Sequence, residues 1–249
     1  MDWSDLKKEL DCWSQQNAVA QLWWRDDDAH SLTPQLHSLY ELCERHHIPV
    51  ALAVIPNKIE MSLVDFYRTS PLLRVFQHGF DHVNHGKGSG RAGELEDHRS
   101  QKDVYQDLAQ GRRQLKEHFP DSLDVLVPPW NKIAEEYIKD LASLGFCGLS
   151  RFANQERSTT KELTELNCHV DIIKWKKPPY FRGTKKCLTE IIEHLQSKRL
   201  ASANSHVPTG ILSHHLDHDL DCFDFLDQLM METTRHPACQ WLDPKELFK

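Results

Sequence analysis

Histidine and aspartate side chains gather at a few short segments of the chain, each of which follows a run of apolar residues. The first segment is Arg25-Asp26-Asp27-Asp28, directly after a run that ends at Trp24. Three adjacent carboxylates repel one another and are costly to bury, so we expect a cation or an arginine to hold them. A solvated acidic turn is the alternative interpretation.

A second segment contains two histidines four residues apart, His78 and His82. On a turn or the first coil of a helix this spacing puts both rings on one side, which is the arrangement by which two imidazoles share a metal ion. His85 continues the same face. Two histidines and one aspartate leave coordination positions open, as a catalytic zinc requires. Together with the aspartate run, the pair predicts a divalent metal site.

Two further segments have residues suited to substrate contact and proton transfer. In the stretch 127–131, two prolines stiffen a loop that contains Trp130, a flat apolar wall, and ends at Asn131. In the stretch 212–219, His214 and His215 precede several aspartates. A helix cap with incidental histidines is the alternative interpretation of that last stretch.

The elements that must position these residues alternate along the chain. Eight apolar runs are typical of buried strands, at 18–24, 50–55, 72–77, 123–127, 145–149, 170–174, 210–213 and 240–242. Five segments have the apolar spacing of helices, at 36–43, 104–115, 133–141, 188–195 and 223–230. Thr33 and Pro34 are a suitable N-cap and first residue for the first helix. This alternation predicts an α/β fold in which about seven parallel strands close into a (β/α) barrel, with catalytic groups after the strands. A doubly wound open sheet is the alternative.

The composition and charge of the chain exclude several classes of protein and partner. The chain has 249 residues, 39% hydrophobic and 27% charged, which fits one globular domain over residues 1–249 and excludes a wholly disordered chain. A net charge of -7 argues against a nucleic-acid partner. With no apolar stretch of bilayer length and no signal peptide pattern, we expect no membrane partner. The seven cysteines are scattered and form no CxxC, which favours a cytoplasmic location over a disulfide framework. Sixteen histidines, many beside aspartate, are typical of a metal-centred enzyme.

In this order, the segments resemble the motifs of the NodB-type polysaccharide deacetylases, carbohydrate esterase family 4, over roughly residues 22–215. Asp27-Asp28 is similar to the Asp-Asp pair of that family, with Asp26-Asp27 as the alternative register. The other matching segments are His78 with His82, the loop 127–130, Asp171 followed by Trp175, and Leu212-Ser213-His214.

The resemblance implies a distorted (β/α) barrel and a metal-dependent hydrolase that removes an acetyl or other acyl group from an N- or O-acetylated carbohydrate or small molecule. It implies a divalent metal on Asp28, His78 and His82, with Zn²⁺ favoured and Co²⁺, Fe²⁺ or Mn²⁺ as alternatives. Asp27 corresponds to the base, and His214, oriented by Asp171, corresponds to the acid, with His215 as the alternative acid. We assign substrate contacts to Pro129, Trp130, Asn131, Trp175 and His215.

The chain departs from the family pattern at three positions. Val127 stands where the family usually has an arginine that steadies the base, and Arg25 is a candidate replacement. Gly79 and Val83 stand where the family often has Ser or Thr and Pro. Two other functions therefore remain open at this point: a non-catalytic module that retains the metal, and another metal-dependent hydrolase of phosphate esters or cyclic amides.

Overall fold

The computed structural model describes residues 1–86, 92–96, 99–152, 162–201 and 207–248. Within these residues the strands are Ala20–Ala29 (β1), Val50–Val54 (β2), Leu73–His78 (β3), Val125–Val127 (β4), Gly148–Leu149 (β5), Thr164–Glu165 (β6), Val170–Asp171 (β7), Ile173–Lys174 (β8), Tyr180–Phe181 (β9), Thr209–Ser213 (β10) and Cys239–Trp241 (β11). The helices are Trp3–Gln15 (α1), Pro34–His46 (α2), Met61–Arg68 (α3), Gln101–His118 (α4), Glu135–Ile138 (α5), Thr184–Leu200 (α6), Leu220–Thr234 (α7) and Pro244–Leu247 (α8). Short 3₁₀ turns lie at Pro56–Lys58, Pro129–Asn131 and His215–Asp217.

The strands of the main sheet run in the order β6-β5-β4-β3-β2-β1-β10-β7, and β11 pairs with β1. The registered pairs of this sheet are parallel. The order from β1 to β6 is sequential, unlike a doubly wound sheet, whose order reverses at an internal switch point. The predicted fold class, a distorted (β/α) barrel of parallel strands, is confirmed.

Each predicted strand and helix has a counterpart, with shifts at the ends. The predicted strand 170–174 is divided, because its first two residues pair with β10 and Ile173 and Lys174 pair with β9 in an antiparallel hairpin. Thr33 caps α2 as predicted, since its Oγ1 accepts a hydrogen bond from the backbone N–H of Leu36 at 3.1 Å. The helices α1, α3 and α8 and the strands β6 and β9 were not predicted.

The chain folds as two compact units, each built from separate stretches of sequence. The first unit comprises residues 1–26, 33–50 and 168–244, and the second comprises 27–32, 51–167 and 245–249. That the whole chain acts as one catalytic domain stays a proposal.

In the first unit, β1 pairs with β10 so that Asp26 lies opposite Ser213, and β10 pairs with β7 so that Leu212 lies opposite Asp171. Polar residues therefore meet where these parallel strands end. The apolar stripe of α6 is buried, as predicted from the spacing of Leu188, Ile191 and Leu195.

In the second unit, β3 pairs with β4 so that His78 lies opposite Val127. Helix α4 follows β3 and buries Val104, Leu108 and Leu115, as its spacing predicts. The segments after β3 and β4 thus leave the sheet side by side, which brings the histidine pair and the proline loop to the same edge of the sheet.

All seven cysteines are free thiols. No helix in the described part of the chain is long and apolar enough to cross a membrane.

Candidate metal centre

Three predicted metal ligands come together in the second unit. The Oδ1 atom of Asp28 lies 2.9 Å from Nε2 of His78 and 3.1 Å from Nε2 of His82. One ligand atom from each residue lies within 4.8 Å of the other two, and no other such group of three occurs in the described ranges. The geometry favours the Asp27-Asp28 register, because Asp28 is the carboxylate grouped with the two histidines, whereas the alternative register would put Asp27 in that place.

Left-handed backbone at five positions shapes this site. Asp28 has a φ of 72°, His82 of 52°, Trp130 of 54° and Asn131 of 56°, and Gly79 has a φ of 55°. Non-glycine residues adopt this conformation rarely, and such strain tends to occur where function requires a particular side-chain direction. At Asp28 it interrupts the regular extended backbone of β1, one residue before the strand ends, at the residue that meets the two histidines.

The orientation of His78 is fixed by the neighbouring strand. Its Nδ1 lies 3.0 Å from the carbonyl oxygen of Val127, and because a carbonyl can only accept, Nδ1 is the donor. The other ring nitrogen, Nε2, is left for Asp28 and for a metal. Burial alone would lower the pKa of His78, but the hydrogen bond to Asp28 and the negative charges of Asp27 and Asp28 raise it above its usual value.

A buried glutamate that sequence reasoning missed holds the loop between the two histidines. Glu94 is 0% exposed, and its carboxylate accepts hydrogen bonds from the backbone N–H of Phe80 at 3.1 Å and of Asp81 at 2.7 Å. Its own segment is fixed in turn, because Leu95 bridges to Ile133. Glu94 is therefore a positioning residue for His78 and His82, which flank the two N–H groups.

The glycine at position 79 provides the space for this carboxylate. A Cβ atom on Gly79 would lie 2.0 Å from Oε2 of Glu94 and 2.5 Å from Cγ of Pro129. The residue that replaces the usual Ser or Thr of the family motif is thus the one that lets Glu94 approach. The only sequence signal of the contact between Gly79 and Glu94 was a glycine directly after a candidate ligand. That signal does not identify residue 94 as the partner.

The proline loop lies beside the histidines. The ring of Trp130 is 37% exposed and its centroid lies 4.3 Å from that of His82. Pro129 is buried. The backbone N–H of Asn131 donates to the carbonyl of Pro128 at 2.8 Å, so that N–H is already engaged. It is therefore not available to stabilise an oxyanion in this conformation.

In the first unit, Asp26 belongs to a buried polar network. Its carboxylate accepts hydrogen bonds from Oγ of Ser213 at 2.6 Å and from Nδ1 of His215 at 2.5 Å, and Nε1 of Trp24 donates to the same Ser213 at 2.8 Å. Burial alone would raise the pKa of Asp26, but the charge and hydrogen bond of His215 outweigh it and lower the pKa. His215 is 0% exposed, so the ring predicted to contact substrate and to be the alternative acid does not face solvent in this conformation.

Asp171 and Trp175 surround His214, also in the first unit. Asp171 accepts hydrogen bonds from Nε1 of Trp175 at 2.7 Å and from the backbone N–H of Ile173 at 2.9 Å. The Trp175 ring stands edge-on to the His214 ring with centroids 4.6 Å apart. Burial raises the pKa of Asp171, although the charge of His214 partly opposes this. Asp171 therefore supports His214 through the tryptophan that it holds.

Arg25, the candidate replacement for the missing arginine, is fully buried. A second buried arginine, Arg151, pairs with Glu165 at 2.7 Å in the second unit. The burial of Arg25 and Arg151 was not predicted from the sequence.

Comparison with known proteins supports the fold assignment. No family profile matches the chain, and no curated protein sequence matches it. Among solved structures, a putative polysaccharide deacetylase from Mycobacterium smegmatis is similar with a TM-score of 0.66 at 12% identity, covering 92% of this chain and 88% of that one. The Bc1960 peptidoglycan N-acetylglucosamine deacetylase is similar with a TM-score of 0.58 at 14% identity over 95% of both chains.

A third similar structure is BA3943 from Bacillus anthracis, described as a pseudoenzyme of carbohydrate esterase family 4, with a TM-score of 0.59 at 13% identity over 94% of this chain and 66% of that one. Structures described as deacetylases and one described as a pseudoenzyme therefore share this architecture. The chain has the fold of the carbohydrate esterase family 4 deacetylases, and the resemblance inferred from its motifs is confirmed at the level of the fold.

Proposed function

We propose that this chain is a divergent carbohydrate esterase family 4 enzyme, a metal-dependent hydrolase that removes an acetyl group from an N- or O-acetylated carbohydrate. The observation that carries the proposal is the convergence of Asp28, His78 and His82, from two separate strand ends, directly beside Asp27. Asp27 is 1% exposed. A buried carboxylate next to a two-histidine, one-aspartate group is an arrangement suited to water-dependent acyl hydrolysis.

The three side chains fit a divalent cation. Imidazole nitrogens and a carboxylate oxygen suit Zn²⁺ best, with Co²⁺, Fe²⁺ and Mn²⁺ as alternatives. When bound, such a cation supplies Lewis acidity and makes water more acidic. His78 is prepared for this role, because its Nδ1–H is committed to Val127 and its Nε2 faces Asp28.

The chain's own residues supply the proton transfers. We assign Asp27 as the base that takes a proton from the attacking water, and the backbone N–H of Trp130 as a donor to the developing oxyanion. We assign His214 as the acid that protonates the leaving amine or alcohol. Trp175, held by Asp171 and 52% exposed, offers a flat face to a sugar ring beside His214.

For His215, predicted as a substrate contact and as the alternative acid, we propose a different role. With its Nδ1 on Asp26 and its ring fully buried, His215 is better suited to fixing the start of the segment after β10 than to contacting substrate. We therefore propose it as a positioning residue for the adjacent His214. We also propose a cytoplasmic location, which the seven free thiols support.

The proposed activity is tested by turnover of a chromogenic acetyl ester and of chitooligosaccharides, with Zn²⁺, Co²⁺ or Mn²⁺ added. Asp27→Asn is the matched variant, because it keeps the size of the side chain and leaves Asp28, His78 and His82 in place. We expect turnover by the wild type, and Asp27→Asn should bind the metal but lose activity. Equal rates for the two proteins would refute the assignment of the base.

A non-catalytic module that retains the metal is the second candidate, and Val127 is the observation that favours it. This position lacks the arginine expected to steady the base. Under that alternative the protein binds one metal equivalent but turns over no acyl substrate. A two-metal hydrolase gains no support, since the described residues contain one group of three ligating side chains.

A further inference from the structure

A basic and aromatic hairpin projects from the first unit beside His214. Residues 172–189 contain six basic side chains and no acidic one, although the whole chain has a net charge of -7. The basic residues are Lys174, Lys176, Lys177, Arg182, Lys185 and Lys186. The metal centre and the proposed proton transfers do not account for this concentration of positive charge.

Most of this charge is exposed and unpaired with acids. Lys174, Lys176, Lys177 and Lys185 are exposed, and no carboxylate in the described ranges lies within 4.0 Å of their ammonium groups. Arg182 and Lys186 differ, because both pair with Glu190, at 2.5 Å and 3.3 Å. The four exposed lysines therefore present positive charge that an anionic ligand would offset.

One face of the hairpin is exposed, and contacts on the opposite face hold the hairpin in place. In β8 and β9, Lys174 lies directly opposite Tyr180, so these two side chains share the face that is turned to solvent, and Tyr180 is 44% exposed. The opposite face is anchored, because Phe181 packs on Phe225 with ring centroids 5.2 Å apart. The backbone N–H of Phe181 also donates to Asp219 at 3.0 Å.

Trp175, the residue after β8, links the hairpin to His214, the proposed acid. Trp175 is held by Asp171 through its Nε1, lies nearly perpendicular to the His214 ring with centroids 4.6 Å apart, and is 52% exposed. A substrate group that stacks on Trp175 next to His214 therefore has Lys174, Lys176 and Lys177 as its next neighbours along the chain. Aromatic faces recognise the apolar faces of sugar rings, and ammonium groups recognise carboxylate, phosphate or sulfate groups.

We propose that the hairpin recognises an anionic glycan, so that the substrate is an N- or O-acetylated carbohydrate with carboxylate, phosphate or sulfate groups beside the ring that stacks on Trp175. This inference rests on the proposed function, because it takes His214 as the acid. A nucleic acid is the less favoured polyanion, since the charge is confined to one short hairpin of an otherwise acidic chain.

The test compares two probes of equal length that both contain N-acetylglucosamine: a neutral chitooligosaccharide and a hyaluronan oligosaccharide with alternating uronate carboxylates. Binding is measured by calorimetry and, separately, deacetylation is measured by release of acetate. The variant is K174Q/K176Q/K177Q. The matched control is K8Q/K102Q/K139Q, which removes three exposed lysines from helices α1 and α4 and from the residue after α5.

The wild type should bind the anionic oligosaccharide more tightly than the neutral one. The hairpin variant should bind it about 3- to 100-fold more weakly than the control does, because each exposed pair contributes a modest amount. The preference should also shrink as salt is raised from about 50 to about 500 mM. Unchanged circular dichroism would show that the variants are folded.

Equal affinity for the two oligosaccharides, or a preference that survives in the hairpin variant, would overturn the inference. Tighter binding of a single-stranded DNA oligomer or of anionic lipid vesicles through the same lysines would also overturn it, in favour of that other polyanion. Hairpin-dependent binding without any acetate release would refute the proposed hydrolysis and support the recognition surface.

Discussion

Replacing Glu94 by Gln should weaken metal binding without unfolding the protein. The carboxylate accepts two backbone N–H bonds, from Phe80 at 3.1 Å and from Asp81 at 2.7 Å, and these N–H groups lie between His78 and His82. A glutamine offers one oxygen and turns an NH₂ group toward the second N–H, so at least one charge-assisted bond is lost. Such a bond contributes about 1.5–3 kcal/mol. If most of this free energy is lost from the loop that holds His78 and His82 in place, affinity for Zn²⁺ or Co²⁺ should fall about 10- to 100-fold.

The assay is competition for Zn²⁺ against a chromophoric chelator, with the visible absorption of the Co²⁺ form as a report on ligand geometry. Glu9→Gln is the matched control, because Glu9 is 3% exposed and its carboxylate also holds two bonds, to Arg199 at 2.8 and 3.0 Å, in the other unit. The control should lose stability and keep its metal affinity. A folded Glu94→Gln protein with wild-type affinity and an unchanged Co²⁺ spectrum would refute the positioning role.

Three further outcomes are expected. His214→Gln should lower kcat by about 10²- to 10⁴-fold while one equivalent of metal stays bound, and wild-type kcat in this variant would exclude His214 as the acid. Gly79→Ala should lose both stability and metal affinity, because a Cβ there meets Glu94 at 2.0 Å in a left-handed backbone, and an unaltered melting temperature would contradict that geometry. Burial lowers the pKa of His194 from 6.5 to about 4, so between those two pH values the unfolded chain binds a proton that the folded chain does not. Its contribution to the free energy of unfolding should therefore fall by about 2–3 kcal/mol as pH falls through that window, and chemical denaturation of His194→Gln should lack this slope.

The sequence predicted the strand–helix alternation and the candidate metal ligands because both follow local rules. Apolar runs and i, i+4 spacing are readable within a few residues, and His78 and His82 stand in one such pattern. The location of Asp28 beside them followed from the expectation that parallel strands end at the same edge of a sheet. That expectation is realised by the 2.9 Å contact between Asp28 and His78.

The supporting residues could not be predicted, because their roles depend on contacts between distant parts of the chain. Glu94 lies in an acidic stretch that resembles any solvated loop, yet it is fully buried against the loop that contains Phe80 and Asp81. His215 looked as suitable as His214 for proton transfer, and only the 2.5 Å bond to Asp26 distinguishes the two. Strand β8 was hidden within a predicted continuous strand and β9 was not predicted, since the pairing of Ile173 with Phe181 leaves no periodic signal.

Metal stoichiometry tests the central claim most directly. After exhaustive chelation and reloading, elemental analysis of the wild type should find one equivalent of divalent metal for each chain. His78→Ala should bind none, and His236→Ala, a control that alters a histidine paired with Asp11 in the first unit, should keep the full equivalent. A full equivalent in His78→Ala, or none in the wild type, would contradict a metal centre formed by Asp28, His78 and His82.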